Sequence, residues 1–195
     1  MEDVGSVFRG VDRIVEGGFE LPQPKKKYVM GGDLAKLEDF TVLIVLDIDG
    51  HLVAFDRFNE LDWVFQRKRI VQLSQNYDAR LLIDSTGVGD PIEDELCREK
   101  VHVDGYKFTN ATKKDLIENL SIMIENHQLT IPQIPVLINE LKLYGYKTTR
   151  SGNVQYGAPE GYHDDAVIAL ALAAWQLKRS PAPSSGVGIA CPNRH

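Results

Sequence analysis

An α/β domain built on a mixed β-sheet is the fold class this sequence predicts, and three observations predict it. Two strand-like runs meet at Asp49-Gly50, a tight-turn pair, and a third such run precedes them, giving an antiparallel start. From residue 80 onward, short apolar runs alternate with helical patterns, the order that builds parallel strands with covering helices. Leu81-Leu82-Ile83 is apolar throughout, as suits a strand buried on both faces.

The elements follow in order. In residues 1–27, Val4, Val7, Phe8, Val11, Ile14 and Val15 recur at helical spacing, but Gly5, Gly10, Gly17 and Gly18 weaken that helix, and Pro22-Gln23-Pro24 with Lys25-Lys26-Lys27 reads as a linker. The core is expected to start at Tyr28, with strands over Tyr28–Asp33, Thr41–Asp47 and His51–Phe58. Residues 62–77 suit an amphipathic helix, and Arg80–Asp84 is the fourth strand. Pro91 suits the first turn of a helix ending near Arg98, and Val101–Phe108 reads as a strand. Helices are expected over Thr112–Asn126 and Gln133–Tyr144. A small hairpin pairs Tyr146–Arg150 with Asn153–Gly157, and a last helix runs from about His163 to Lys178. The stretch 180–195, with Pro181, Pro183, Ser184, Ser185 and Gly186, is expected to be disordered. The division is thus a lead-in over 1–27, a domain over 28–179 and a tail over 180–195. Trp63 and Trp175 read as core.

Composition bounds the function. With 43% hydrophobic and 26% charged residues in 195, collagen-like, disordered and disulfide-scaffold classes are excluded. No apolar run approaches the roughly 20 residues that cross a bilayer, so a membrane partner is not expected. Cys97 and Cys191 stand far apart without a CxxC, which argues against a disulfide framework or a zinc site and makes an intracellular setting the expectation. Lys and Arg number 22 against 28 Asp and Glu, a net charge of −6, which argues against coating nucleic acid by charge alone. Neither GxxxxGK[ST] nor GxGxxG occurs, so nucleotide binding through those loops is not expected.

The acids are placed more tellingly than they are numbered. Asp33 ends the first core strand, Asp84 ends the central one, and Asp164-Asp165 open the last helix. Carboxylates converging at one sheet edge repel one another, and a hard divalent cation relieves that conflict. Each also has a plainer role. Asp33 suits a cap for the following turn, Asp84 an Asx turn with Ser85-Thr86, and Asp164 or Asp165 an N-cap. His163 reads as a loop histidine that, beside two acids, could position a water or a leaving group. Gly87 and Gly89 would allow close approach of a phosphodiester, or form an ordinary turn. Candidate nucleic-acid contacts are Lys25 to Lys27, Lys36, Arg67 to Arg69, Lys113, Lys114, Lys142, Lys147 and Arg150. Asn153, Gln155 and Tyr156 lie beside Arg150 on the hairpin, and any of these side chains could equally belong to a solvated face.

Three stretches carry a resemblance. They are Tyr-Val-Met-Gly-Gly-Asp33-Leu-Ala-Lys-Leu-Glu-Asp39-Phe-Thr-Val, Leu-Leu-Ile-Asp84-Ser-Thr-Gly-Val-Gly-Asp90-Pro and Gly-Tyr-His163-Asp164-Asp165-Ala-Val-Ile-Ala-Leu-Ala-Leu-Ala. Over about residues 25–179 the chain resembles the nuclease domain of tailed-bacteriophage large terminase subunits. That resemblance implies a ribonuclease H-like fold and metal-dependent cleavage of concatemeric double-stranded DNA during genome packaging in the host cytoplasm. It implies two ions, Mg²⁺ or Mn²⁺, held by Asp33, Asp84 and the Asp164-Asp165 pair, with Asp165 favoured as the principal ligand and His163 given weight in some members. It also implies a portal and a small terminase subunit as partners of a full-length protein whose ATPase motor, with its Walker motifs, is missing here. Two other readings of the residues stand beside it: another ribonuclease H-like nuclease, such as a junction resolvase or transposase, and a non-catalytic module that docks DNA or a portal.

Overall fold

A computed structural model describes residues 5–34, 40–86, 89–148 and 154–179. Its centre is a five-stranded sheet made of β2 (Tyr28–Asp33), β3 (Thr41–Asp47), β4 (Leu52–Phe58), β5 (Arg80–Asp84) and β6 (Val103–Tyr106), in the order β4-β3-β2-β5-β6. β2, β3 and β4 are antiparallel neighbours, whereas β2, β5 and β6 run parallel. This is the mixed sheet that the strand pattern predicts. At the β3–β4 turn Gly50 takes φ +89°, and a Cβ there would come within 2.1 Å of the Gln128 carbonyl, so both the turn and its packing require glycine. The buried Asp47 carboxylate accepts from the amides of Asp49 and His51 and pairs with Lys26 at 2.7 Å.

Helices cover both faces. α1 (Trp63–Tyr77) and α2 (Gly89–Arg98) lie over the face formed by Met30, Leu43, Val45, Leu81 and Ile83. α3 (Asn110–Glu125), α4 (Pro135–Leu143) and α5 (Asp165–Arg179) cover the face formed by Val29, Val42, Ile44 and Leu82. α3 begins with a capping box between Thr109 and Thr112, two residues before the expected start at Thr112. Trp63 and Trp175 are half-buried and pack against one core each. Among the described residues no helix is long and apolar enough to cross a membrane.

The N-terminal segment differs from the helical spacing of its apolar residues. Gly10 takes φ +79°, and the helix is reduced to one 3-10 turn over Val11–Ile14. Phe8, Val11 and Ile14 are buried in the same core as α3, α4 and α5. β1 (Gly5–Ser6) pairs with β7 (Gly145–Thr148), which pairs with β8 (Val154–Gly157), so the expected small hairpin sits in a three-stranded sheet. Tyr28, expected to open the core, follows a segment already inside it. Lys26, read as part of a linker, is a half-buried anchor for the β3–β4 turn through the buried Asp47. The tail over 180–195 lies outside the described residues.

Candidate metal centre

Sheet register brings two of the acids level. Gly32 of β2 pairs with Ile83 of β5, so the next residues, Asp33 and Asp84, stand side by side at the carboxyl ends of adjacent parallel strands. That edge of an open α/β sheet is where ligands are commonly bound. Asp84 Oδ1 accepts from the Thr86 amide at 2.7 Å, which is the Asx turn, and this leaves its other oxygen for a further role.

The third acid arrives on α5, and one glycine decides where. A Cβ on Gly31 would lie 2.1 Å from the Ala169 carbonyl oxygen and 2.4 Å from the Ala173 nitrogen, so helix backbone rests directly on strand backbone. Ala166, Ala169, Ala171, Ala173 and Ala174, all fully buried, keep the helix thin enough for this approach. Two strand residues beyond Gly31 advance about 6.6 Å, and the four helix residues before Ala169 advance about 6 Å. Asp165 is thereby carried toward Asp33.

Electrostatics records the convergence. Burial pushes the Asp33 carboxyl well above the usual carboxylate range, and the charges of Asp165, Asp164 and Asp84 push it further, while Lys113 opposes them. Lys113 Nζ stands 3.9 Å from Asp164 Oδ2, and His163 Nδ1 3.5 Å from Asp165 Oδ2. The exposed His163 ring meets Phe40 edge-on, with centroids 5.5 Å apart. Gathering is not yet coordination. Among the described residues no three His, Cys, Asp or Glu side chains are close enough together to hold an ion as they stand.

Two residues at this centre escape the sequence reading. Glu140 of α4 is 8% exposed, and its Oε2 accepts from the amides of Ala166 at 2.9 Å and Val167 at 3.4 Å. Burial raises its pKa, the two amides lower it, the Asp165 charge raises it and Arg57 lowers it. Its signal in the sequence is a single acid on the apolar face formed by Leu137, Ile138 and Leu141. Arg57 shares its row and its sheet face with Asp33 through Val42, and its guanidinium lies over the Phe40 ring, 3.2 Å from the centroid. An arginine inside a strand pattern gave no comparable signal.

The nucleic-acid candidates fare unevenly. Lys36, Gly87, Arg150 and Asn153 lie outside the described residues, as does the side chain of Lys147. Gly89 opens α2, and Gln155 is exposed on β8. Gly157, two residues on and on the same strand face, approaches Asp164, since a Cβ there would lie 3.7 Å from its Oδ2. Several cations are engaged within the protein: Arg67 with Glu95 and Glu99, Arg69 with Asp56, Lys114 with Glu118 and Lys142 with Asp12.

The sequence profile of the terminase RNaseH-like domain family matches residues 30–176, a stretch that contains all four acids. The chain belongs to that family. The large terminase subunit of Thermus virus P23-45 is 33% identical over 180 residues, covering 86% of this chain and 37% of the relative. The chain therefore spans little more than a third of that relative's length. The large terminase nuclease of thermophilic phage G20c superimposes with a TM-score of 0.81 at 31% identity, over 90% of this chain and 99% of that one. Its form with bound magnesium gives 0.82 at 32% identity, over 88% and 97%. The fold of this terminase domain is thus ribonuclease H-like, as the resemblance implied.

Proposed function

We propose that this terminase domain is a divalent-metal-dependent endonuclease that hydrolyses double-stranded DNA at the Asp33 centre. One observation carries the reading: parallel register sets Asp33 and Asp84 side by side at the ends of β2 and β5, and the backbone contact at Gly31 brings the start of α5, with Asp164 and Asp165, toward them. The raised pKa of Asp33 agrees with it. A cluster of like charge at the end of buried strands is costly by itself and is relieved by hard cations that take oxygen ligands. The likeness to a nuclease solved with bound magnesium supports the same assignment.

The donor set fits Mg²⁺ or Mn²⁺, being all carboxylate with solvent at hand. Asp33, Asp84, Asp164 and Asp165 would hold two such ions. When bound, such ions supply an activated water and neutralise charge on the departing 3′-oxygen. The chain's own residues do the rest. Asp33 and Asp84 present oxygens from rigid strand ends, and α5 brings Asp165 across. His163, exposed beside Asp165, stands where it can position a water or take part in proton transfer at the leaving oxygen. Gly157 at the end of β8 lies beside Asp164, and Gln155 is exposed on the same strand face two residues earlier, where a duplex would pass. In a full-length protein the substrate would be concatemeric viral DNA in the host cytoplasm, delivered with the help of portal and small terminase subunits.

That Glu140 meets the first-turn amides of α5 counts against a docking module in which Asp164 and Asp165 serve only as caps. Plasmid digestion across Mg²⁺, Mn²⁺ and EDTA tests the proposal. Nicking should require the metal, and Asp33→Asn and Asp84→Asn should each reduce it at least 100-fold while circular dichroism stays unchanged. Wild-type rates in both variants would overturn the assignment.

A further inference from the structure

We propose that Glu140 is a positioning residue for the acidic centre: from α4 it anchors the first turn of α5 and so fixes the backbone that carries Asp165. The inference rests on the metal-dependent reading above and adds a residue that does not itself touch the ion.

The first N–H groups of a helix have no partners within it, and the usual answer is a local side-chain cap. Here the acceptor comes from another helix, 26 residues earlier in the chain. A carboxylate suits the task, because the N-terminal end of a helix carries partial positive charge. The N–H of Ala166 belongs to the same peptide unit as the carbonyl of Asp165. A bond at 2.9 Å from a side chain buried in the core therefore sets the direction in which Asp165 leaves the helix. The acceptor for these two amides thus comes from α4.

The surroundings make this more than a filled core position. Glu140 shares its helix face with Leu137, Ile138 and Leu141, where an apolar residue would pack at lower cost. Its Oε1 is buried with no hydrogen-bond partner among the described residues, so the site tolerates a penalty to keep an acceptor on the α5 amides. Arg57, on the same sheet face as Asp33, offsets the added charge. Outer groups that orient metal ligands commonly change metal affinity by about 10–100-fold when removed.

The test uses the 195-residue chain with Mn²⁺ alone as the probe. Mn²⁺ affinity is measured by calorimetry for wild type, Glu140→Leu and Glu140→Gln, and metal-free amide exchange is followed at Ala166 and Val167. Leucine fills the volume without an acceptor, whereas glutamine keeps one. Glu140→Leu should remain folded, exchange faster at both amides and bind Mn²⁺ about 10–100-fold more weakly, and Glu140→Gln should recover most of that affinity. If Glu140→Leu fails to fold, Glu140→Asp, which draws the acceptor back by one methylene, takes its place under the same criteria. Wild-type affinity in a folded variant without the acceptor overturns the inference. So does a Glu140→Gln variant as weak as Glu140→Leu, because charge rather than the anchor would then set the affinity. A wild-type chain that binds no Mn²⁺ brings down the metal reading itself, and this inference with it.

Discussion

In the metal-free protein, Asp33 is more easily protonated than a free aspartate because it is partly stripped of water and ringed by negative charge. A carboxyl whose pKa is raised on folding favours the folded state fully below its unfolded pKa, near 3.8, and loses that contribution as pH rises through the folded value. Metal-free stability should therefore carry a component that falls between acidic and neutral pH, and Asp33→Asn should remove it. Thermal melts in EDTA from pH 4 to 8 check this. At pH 7 the variant should melt higher by roughly 2–4 °C, the shift that about 1 kcal/mol gives in a domain of this size. Saturating Mn²⁺ should raise the wild-type melting temperature and leave that of Asp33→Asn nearly unchanged, since only binding to the folded form stabilises it. Asp33, Asp84, Asp164 and Asp165 were legible because strand ends and helix starts can be read from apolar patterning. Glu140 was not, because its place on the face of Leu137, Ile138 and Leu141 marks a buried acid without naming the helix that it meets.

Among the elements, the contact between α5 and β2 governs the centre. Gly31 and the alanines of α5 let two backbones touch, and the helix start is thereby fixed against the strand end. Gly31→Ala would place a methyl group against helix backbone that cannot rotate away. It should destabilise the fold by about 3 kcal/mol or more, at the upper end of the range for overpacking, and weaken Mn²⁺ binding in whatever fraction folds. Urea denaturation with calorimetry on the folded protein measures both. The helical character of α5 was evident in its Ala- and Leu-rich run, but the need for glycine at 31 was not. A glycine inside a strand pattern signals close approach without naming what approaches.

At the scale of the whole molecule, the segment before Tyr28 belongs to the core it precedes. Phe8 is 4% exposed and packs on Tyr144 with ring centroids 5.4 Å apart. Phe8→Ala should cost about 3–5 kcal/mol, the usual range for emptying a buried aromatic site, visible as a lower urea midpoint with Mn²⁺ affinity per folded molecule retained. The prolines and lysines here pointed to a linker, and the glycines to a weak helix, because propensity records what the local chain favours, whereas β1 pairs with a strand some 140 residues away. By itself the sequence determined the mixed sheet, its covering helices and the acids at the ends of β2 and β5 and the start of α5, since period, turn chemistry and burial are written locally. Only the tertiary structure decided that α5 would rest on Gly31, that Glu140 would cap it, that Lys26 would hold Asp47 and that several other cations would be spent on internal pairs. Those outcomes depend on which distant surfaces meet, and packing selects among partners that no local pattern names.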